Sequence, residues 1–178
     1  MCLSVNLNYH KVKNDKPIAL VAKQSILVYK VLEVKGNYYR TPYMIKSVNF
    51  DDEYGMFFYK TTRFGIDRVR FFDQGREYRE YNVSKGIHSH IDFDKANRDI
   101  NYLKQFFNLY LCSAPNIHYA IIPKGSKFYI GAEGDIASSN LVVFENETKY
   151  NENKEYFGDK PIEFSEYLKK FGTELDSK

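Results

Sequence analysis

The spacing of apolar residues changes several times along this chain, and each change marks an element. Residues 26–34 read Ile-Leu-Val-Tyr-Lys-Val-Leu-Glu-Val and stop at Lys35-Gly36-Asn37. An apolar, β-branched run closed by a turn signal is the pattern of a strand. Residues 38–43 return as its hairpin partner, with Pro42 at an edge or an end. Residues 45–50 and 56–61 are further short strands, separated by Asp51-Asp52-Glu53-Tyr54-Gly55. From about 92 to 111 the period lengthens. Phe93, Ala96, Ile100, Leu103, Phe107 and Tyr110 fall three or four apart, which makes one apolar stripe on a long amphipathic helix. Asp92 is placed to cap the first free amides, and Pro115 forbids continuation.

Two more apolar runs, 118–122 and 141–144, flank a turn-rich middle with Pro123 and Gly125 at its entry and a short strand at 127–130. Gly131-Ala132-Glu133-Gly134-Asp135 is glycine-rich but lacks the spacing of a phosphate cradle, so it reads as a loop. Residues 146–159 are polar and charged, a loop or linker. A short C-terminal helix at 165–171 puts Phe164, Leu168 and Phe171 on one face, with Gly172 just past its end. The order is strands, one helix, more strands and a terminal helix. It predicts a single α+β domain with a mainly antiparallel sheet. Residues 1–16 form an N-terminal arm, 17–145 the core, and 146–178 a linker with a helix that packs on the core or on a partner.

Composition narrows the function. With 178 residues the chain has the size of one domain that buries its own core. It carries 16 Tyr and 14 Phe but no Trp. Tyrosines combine an apolar face with a hydroxyl that needs a partner, so many belong at boundaries and contact surfaces. The net charge of +3 does not demand a nucleic acid. It is uneven, +6 over residues 1–120 and −3 over 121–178, which favours head-to-tail packing of copies. Two cysteines, Cys2 and Cys112, make neither a disulfide framework nor a zinc ribbon. No apolar run approaches 18 residues and no secretory leader opens the chain, so no membrane is expected.

Candidate chemistry is sparse. In Gly86-Ile87-His88-Ser89-His90 an extended backbone puts His88 and His90 on one face. Two imidazoles there bind a metal or orient a substrate if His10, His118 or a carboxylate adds a third ligand; otherwise they finish a polar strand end. Cys2 follows the initiator Met, as in N-terminal nucleophiles, but without their glycine signature. Cys112 sits at a helix C-terminus, where the dipole opposes a thiolate. Arg63, Arg68, Arg70, Arg76 and Arg79 alternate with aromatics in the pattern of single-strand nucleic-acid contact. Asp67, Asp73, Glu77 and Glu80 offset their charge, so a solvated face or a protein contact is the stronger reading. Nucleic-acid binding requires all five arginines on one face and an affinity that falls steeply with salt.

Three pieces of the chain stand in a recognisable order. They are Ser25-Ile26-Leu27-Val28-Tyr29-Lys30-Val31-Leu32 with Thr41-Pro42-Tyr43, then Gly86-Ile87-His88-Ser89-His90 followed by Ala96, then Ile121-Ile122-Pro123-Lys124-Gly125-Ser126-Lys127-Phe128-Tyr129 with Ser138-Ser139-Asn140-Leu141-Val142-Val143. Together they resemble an uncharacterised group of small proteins from phages and prophages of gut Bacteroidetes, crAss-like phages included. The resemblance implies a phage origin and carries no activity. A more distant likeness is to ADP-ribosyltransferase-like folds, in which Tyr29, His88, His90 and Glu133 (or Asp135) would occupy the site. The first strand lacks the His-Gly or Arg-Gly pair that holds nicotinamide there, so a binding scaffold is implied more than catalysis.

The expectation is therefore a phage-encoded, non-enzymatic protein acting through protein–protein contacts, as a minor virion or capsid-associated component. Its partners are other phage structural proteins or further copies of itself. Its place is the virion or the host cytoplasm, and it needs no cofactor. The alternative is an ADP-ribosyltransferase-like or nucleotide-binding counter-defence protein in the host. That alternative requires Tyr29, His88, His90 and Glu133 to converge in one cleft.

Overall fold

Residues 3–35, 38–41, 47–107 and 114–175 are described by the structure, a computed structural model. The chain enters through β1 (Leu3–Ser4), a 3-10 turn at Leu7–Tyr9, and three two-residue strands, β2 (Val12–Lys13), β3 (Lys16–Pro17) and β4 (Leu20–Val21). The apolar run becomes β5 (Ile26–Lys35), followed by β6 (Tyr38–Arg40), β7 (Ser47–Val48) and β8 (Met56–Lys60). A long hairpin, β9 (Gly65–Asp73) and β10 (Arg76–Lys85), leads into β11 (Ile87–His90) and helix α1 (Phe93–Phe107). Then come β12 (Ala114–Ile122), β13 (Lys127–Ile130), β14 (Asp135–Ser138), β15 (Asn140–Phe144), helix α2 (Glu147–Asn153), β16 (Ile162–Glu163) and helix α3 (Phe164–Leu175).

The main sheet runs β4-β13-β14-β11-β5-β12-β15-β8, antiparallel throughout that path. The fold is thus α+β with a mainly antiparallel sheet. β5 is its middle, and β12 pairs with it from Ile26 to Val34. The other edge of β5 is shared by three strands: β16 in parallel at Ile26 and Leu27, β11 at Tyr29, and β6 from Glu33 to Lys35. Both faces of β5 are buried, and this explains why its sequence is nearly continuous in apolar residues. Ile26, Val28 and Leu32 join one core with Ala120, Ile122, Leu141, Val143, Phe128, Ile130 and Ile136. Phe164 and Tyr167 of α3 enter this core too. Leu27, Tyr29 and Val31 face the second core, where Ala96, Ile100 and Leu103 of α1 and Tyr150 of α2 cover the sheet.

Of the helix stripe, Ala96, Ile100 and Leu103 are buried, while Phe93 at its start stays 47% exposed. Asp92 caps it, accepting from the Lys95 amide at 2.6 Å. Asp92→Ala is expected to cost about 1 kcal/mol in urea unfolding. Tyr110 and Cys112 lie outside the described residues, as does Cys2.

Three expectations change. From Leu3 on, the N-terminal arm packs against the body: β1 pairs with β10, Val5 bridges to Gly131, and Leu3 and Val5 are buried. Gly131 makes this possible, because a Cβ there would sit 2.8 Å from Leu3 Cγ. His10 is also drawn in. Its Nδ1–H donates to the Ile18 carbonyl and its Nε2 accepts from the Ile130 amide, both at 3.0 Å. The expected loop at 146–159 contains α2, capped by the Asn146 side chain on the Lys149 amide at 2.9 Å. Asp159 then takes the Ser25 amide and hydroxyl at 2.7 and 2.6 Å, pinning the return to the start of β5. Finally, α3 continues through Gly172 instead of ending there.

Candidate functional site

β11 stands between β14 and β5, with His90 opposite Asp135 on one side and Tyr29 on the other. Directly opposed residues share a sheet face. Asp135, His90 and Tyr29 therefore form a row across three strands, under the N-terminal half of α1. The helix adds Asp99. His90 Nε2 lies 3.4 Å from Asp99 Oδ2, and His90 Nδ1 lies 3.8 Å from Asp135 Oδ1. Lys95, one turn before Asp99, holds its other oxygen at 3.3 Å. Burial works to raise the Asp135 carboxyl, but His90, Lys95 and His88 outweigh it and hold the group below its usual value.

Tyr29 donates its hydroxyl to Glu163 Oε1 at 3.1 Å and packs edge-on against Phe93. Burial, reinforced by the Glu163 charge, pushes its phenol well above the ordinary range. It is a neutral donor at any physiological pH. His88, two residues before His90, is pushed down to about 4, first by burial and then by the Lys30 charge. Burial alone takes the Lys30 ammonium down to about 8, and that ammonium donates to the His88 carbonyl.

Of the four residues in the enzymatic reading, the structure brings Tyr29 and His90 together and keeps His88 on the same strand. Glu133 is apart: it is exposed in the turn between β13 and β14. The carboxylates that reach His90 are Asp135 and Asp99. Asp135 was legible as the end of the glycine-rich loop; Asp99 had no sequence signal, because only tertiary packing brings α1 over β11. Ser89 lies between the two histidines, and alternation turns it to the opposite face, where it is buried. Neither imidazole thus has a hydroxyl on its own strand to activate.

The arginines lie elsewhere, on the hairpin of β9 and β10. Gln74 and Gly75 both have positive φ, 48° and 76°, the requirement of a two-residue type I′ turn. Among the described residues the hairpin is paired at its base, where β1 lies against Asn82 and Val83 and the Val5 amide donates to the Tyr81 carbonyl. Beyond it the ribbon projects, with Phe72 75% exposed at its tip. Register puts Arg68 and Arg70 on one face and Arg76, opposite Asp73, on the other. Arg79 stands at the register position opposite Arg70, and Arg63 precedes the ribbon. Arg70 lies 3.5 Å from Glu77. From Gly65 to Lys85 there are five basic and four acidic residues. The register therefore does not gather all five arginines on one face of the arm.

An open groove of about 620 Å³ lies at the other end of the sheet, lined by Asp52, Glu53, Tyr54, Phe58 and Tyr156 among others. Compared with protein-family models, with curated proteins and with solved structures, the chain matches none. No described helix is long and apolar enough to cross a membrane.

Proposed function

We propose that the chain is a phage-encoded, non-enzymatic protein that acts through protein–protein contacts, as a minor component of the virion or capsid. The observation that carries this reading is the projecting arm of β9 and β10. A two-stranded ribbon is at best marginally stable alone in water. This one exposes Val69 and Phe72, and among the described residues no strand pairs with it beyond its base. Such a ribbon gains most of its order by docking. Arginine beside exposed aromatics is the composition of binding hot spots. The phage origin rests on the resemblance of residues 25–145. Partners are other phage structural proteins or further copies of this chain. The groove with Asp52, Glu53, Phe58 and Tyr156 has the charge and rings to receive such an arm.

The enzymatic alternative has Tyr29 and His90 in its favour, with Asp135 beside them, and lacks Glu133. Nucleotide binding by the purified chain would favour it.

The test replaces residues 70–79 with Asn-Gly. Val69 and Glu80 then close the shortened hairpin, a pair of the same kind as Asp73 and Arg76. The core should be unchanged, with a melting temperature within about 2 °C of the parent, because the base of the hairpin at Asn82 and Val83 stays paired with β1. Association with purified particles, or with other copies in concentration-dependent sedimentation, should fall at least tenfold. Unchanged association would overturn the role of the arm. Absence of the chain from purified virions, with abundance in infected cells, would overturn the virion assignment.

A further inference from the structure

We propose that the groove beside β8 takes the β9–β10 arm of a second copy of this chain, with β9 added to β8 as a further strand. This rests on the reading of the arm as a docking element and names its partner. β8 is the last strand of the main sheet, and among the described residues no strand pairs with its outer edge. The Gly55 carbonyl accepts from the Glu145 amide at 2.9 Å, and the Thr61 amide donates to the Ser139 carbonyl at 3.0 Å. The odd-numbered residues of β8 therefore bond inward to β15, and Met56, Phe58 and Lys60 turn their main-chain groups outward. At Met56 these groups are taken by Asp51, whose amide donates to the Met56 carbonyl at 3.0 Å and whose Oδ2 accepts from the Met56 amide at 2.9 Å. Phe58 and Lys60 are left for an incoming strand. Sheet edges are usually blunted by charge or proline, and β8 has neither before Lys60.

The arm offers the matching edge. The Tyr81 carbonyl accepts from the Val5 amide, outside the hairpin, at 2.8 Å. Its register partner Arg68 therefore also turns its main chain outward, and so do Arg70 and Phe72 further along β9. Alternation puts the side chains of the same three residues on one face. The groove carries their complement. Asp51, Asp52 and Glu53 line it, with no lysine or arginine among the lining residues. From Arg68 to Arg79 the arm has four arginines against Asp73 and Glu77. Opposite charge of this kind steers and orients a contact. Phe58, Phe157, Tyr156 and Tyr54 follow one another ring against ring beside the groove, and Phe72 is the exposed ring that comes to them. Val83, at the base of the arm, packs with Tyr129 and Ala137 of β13 and β14. β14 lies five strand spacings from β8, about 24 Å. Arm and groove thus stand at opposite ends of the sheet, and their contact joins different copies. Because it joins unlike patches, it leaves an unused arm at one end and an unused groove at the other, and the assembly grows into chains or rings.

The test is sedimentation velocity of the full chain and of two kinds of variant. The parent should associate, and to larger species as its concentration rises. The chain with residues 70–79 replaced by Asn-Gly keeps the groove and loses the arm. The double variant Asp52→Arg, Glu53→Arg keeps the arm and reverses the charge of the groove. Each alone should self-associate at least tenfold more weakly than the parent. Mixed in equal amounts, they should form a heterodimer and nothing larger, because one brings the only arm and the other the only intact groove. Phe58→Pro removes an outward amide and no bond to β15, and gives the same readout should the charge reversal not fold. Unchanged association in the groove variants, with loss in the arm-shortened chain, overturns the groove as acceptor and leaves the role of the arm standing. A monomeric parent overturns the second copy as occupant, and arm-dependent binding to particles would then place the partner among other proteins. Unchanged association in the arm-shortened chain overturns both readings.

Discussion

Arg40→Met should lower the unfolding free energy by about 3–5 kcal/mol, measured in guanidinium chloride at pH 7. Glu33 is 1% exposed, in the middle of the sheet, and its carboxylate is ion-paired with Arg40 Nε. The two are register partners on β5 and β6. Removing the arginine leaves a charge out of water with its partner gone. The pair itself is a poor source of stability, since both ions were desolvated to make it. The double variant Glu33→Leu, Arg40→Met should therefore recover most of the loss. A single-variant loss below about 1 kcal/mol would show that another group neutralises Glu33.

The second large effect is with pH. His88 is held at about 4 against a reference of 6.5, by burial and then by the Lys30 charge. Above pH 6.5 the imidazole is neutral in both states and contributes nothing to the pH dependence. As pH falls below 6.5 the unfolded chain takes up the proton first. Native stability then declines until the folded imidazole also titrates near pH 4. At about 1.4 kcal/mol per unit, His88 alone accounts for about 3 kcal/mol of loss. His10 and His118 are also lowered by burial, so they add in the same direction. Asp135 works with opposite logic. It is held below its ordinary 3.8, so its stabilisation is lost only at more acid pH, outside this window. Urea midpoints at pH 7 and pH 4.5 should differ strongly in the parent and clearly less in His88→Gln. An equal drop in both would show that His88 meets protons as easily in the native state as in the unfolded one.

The fold was legible wherever a single period governed a long stretch. β5 is buried on both faces, so its apolar run has no alternation to miss. The stripe through Ala96, Ile100 and Leu103 meets one sheet face. Sequence reading failed where short pieces owe their structure to distant ones. Asp135–Ser138 carries only Ile136 and Ala137 as apolar signal, and it is a strand because β11 and β13 hold it on both edges. Leu3 and Val5 lie among polar neighbours, and only the glycine at 131 and the base of the arm make a place for them. α2 begins at an asparagine cap that a charged stretch conceals. The histidine cluster was half visible: the two-residue spacing put His88 and His90 on one face. The carboxylates beside His90 arrive from a strand 45 residues later and from a helix, by paths that no local pattern records. The projecting arm was visible as arginines and aromatics, but that no described strand pairs with it beyond its base is a property of the assembled molecule alone.

The central position of β5 has a cost in time. Its parallel neighbour β16 joins it at Ile26, and the Asp159 clasp on Ser25 spans 134 residues of sequence. β12, on the other edge, pairs across 80 residues at Val34 and Ala114 and 96 at Ile26 and Ile122. Contacts of such long range make folding slow, because loop closure precedes any reward. During synthesis β5 emerges early and meets β6 soon after and β12 later, but the Ile26–Leu27 end of its other edge stays open until β16 has left the ribosome. A nascent chain halted after β15 would lack its last edge strand and α3, with Ile26 and Phe128 uncovered by Tyr167. Chaperone capture should therefore peak late in translation and fall sharply once residues 159–167 are free.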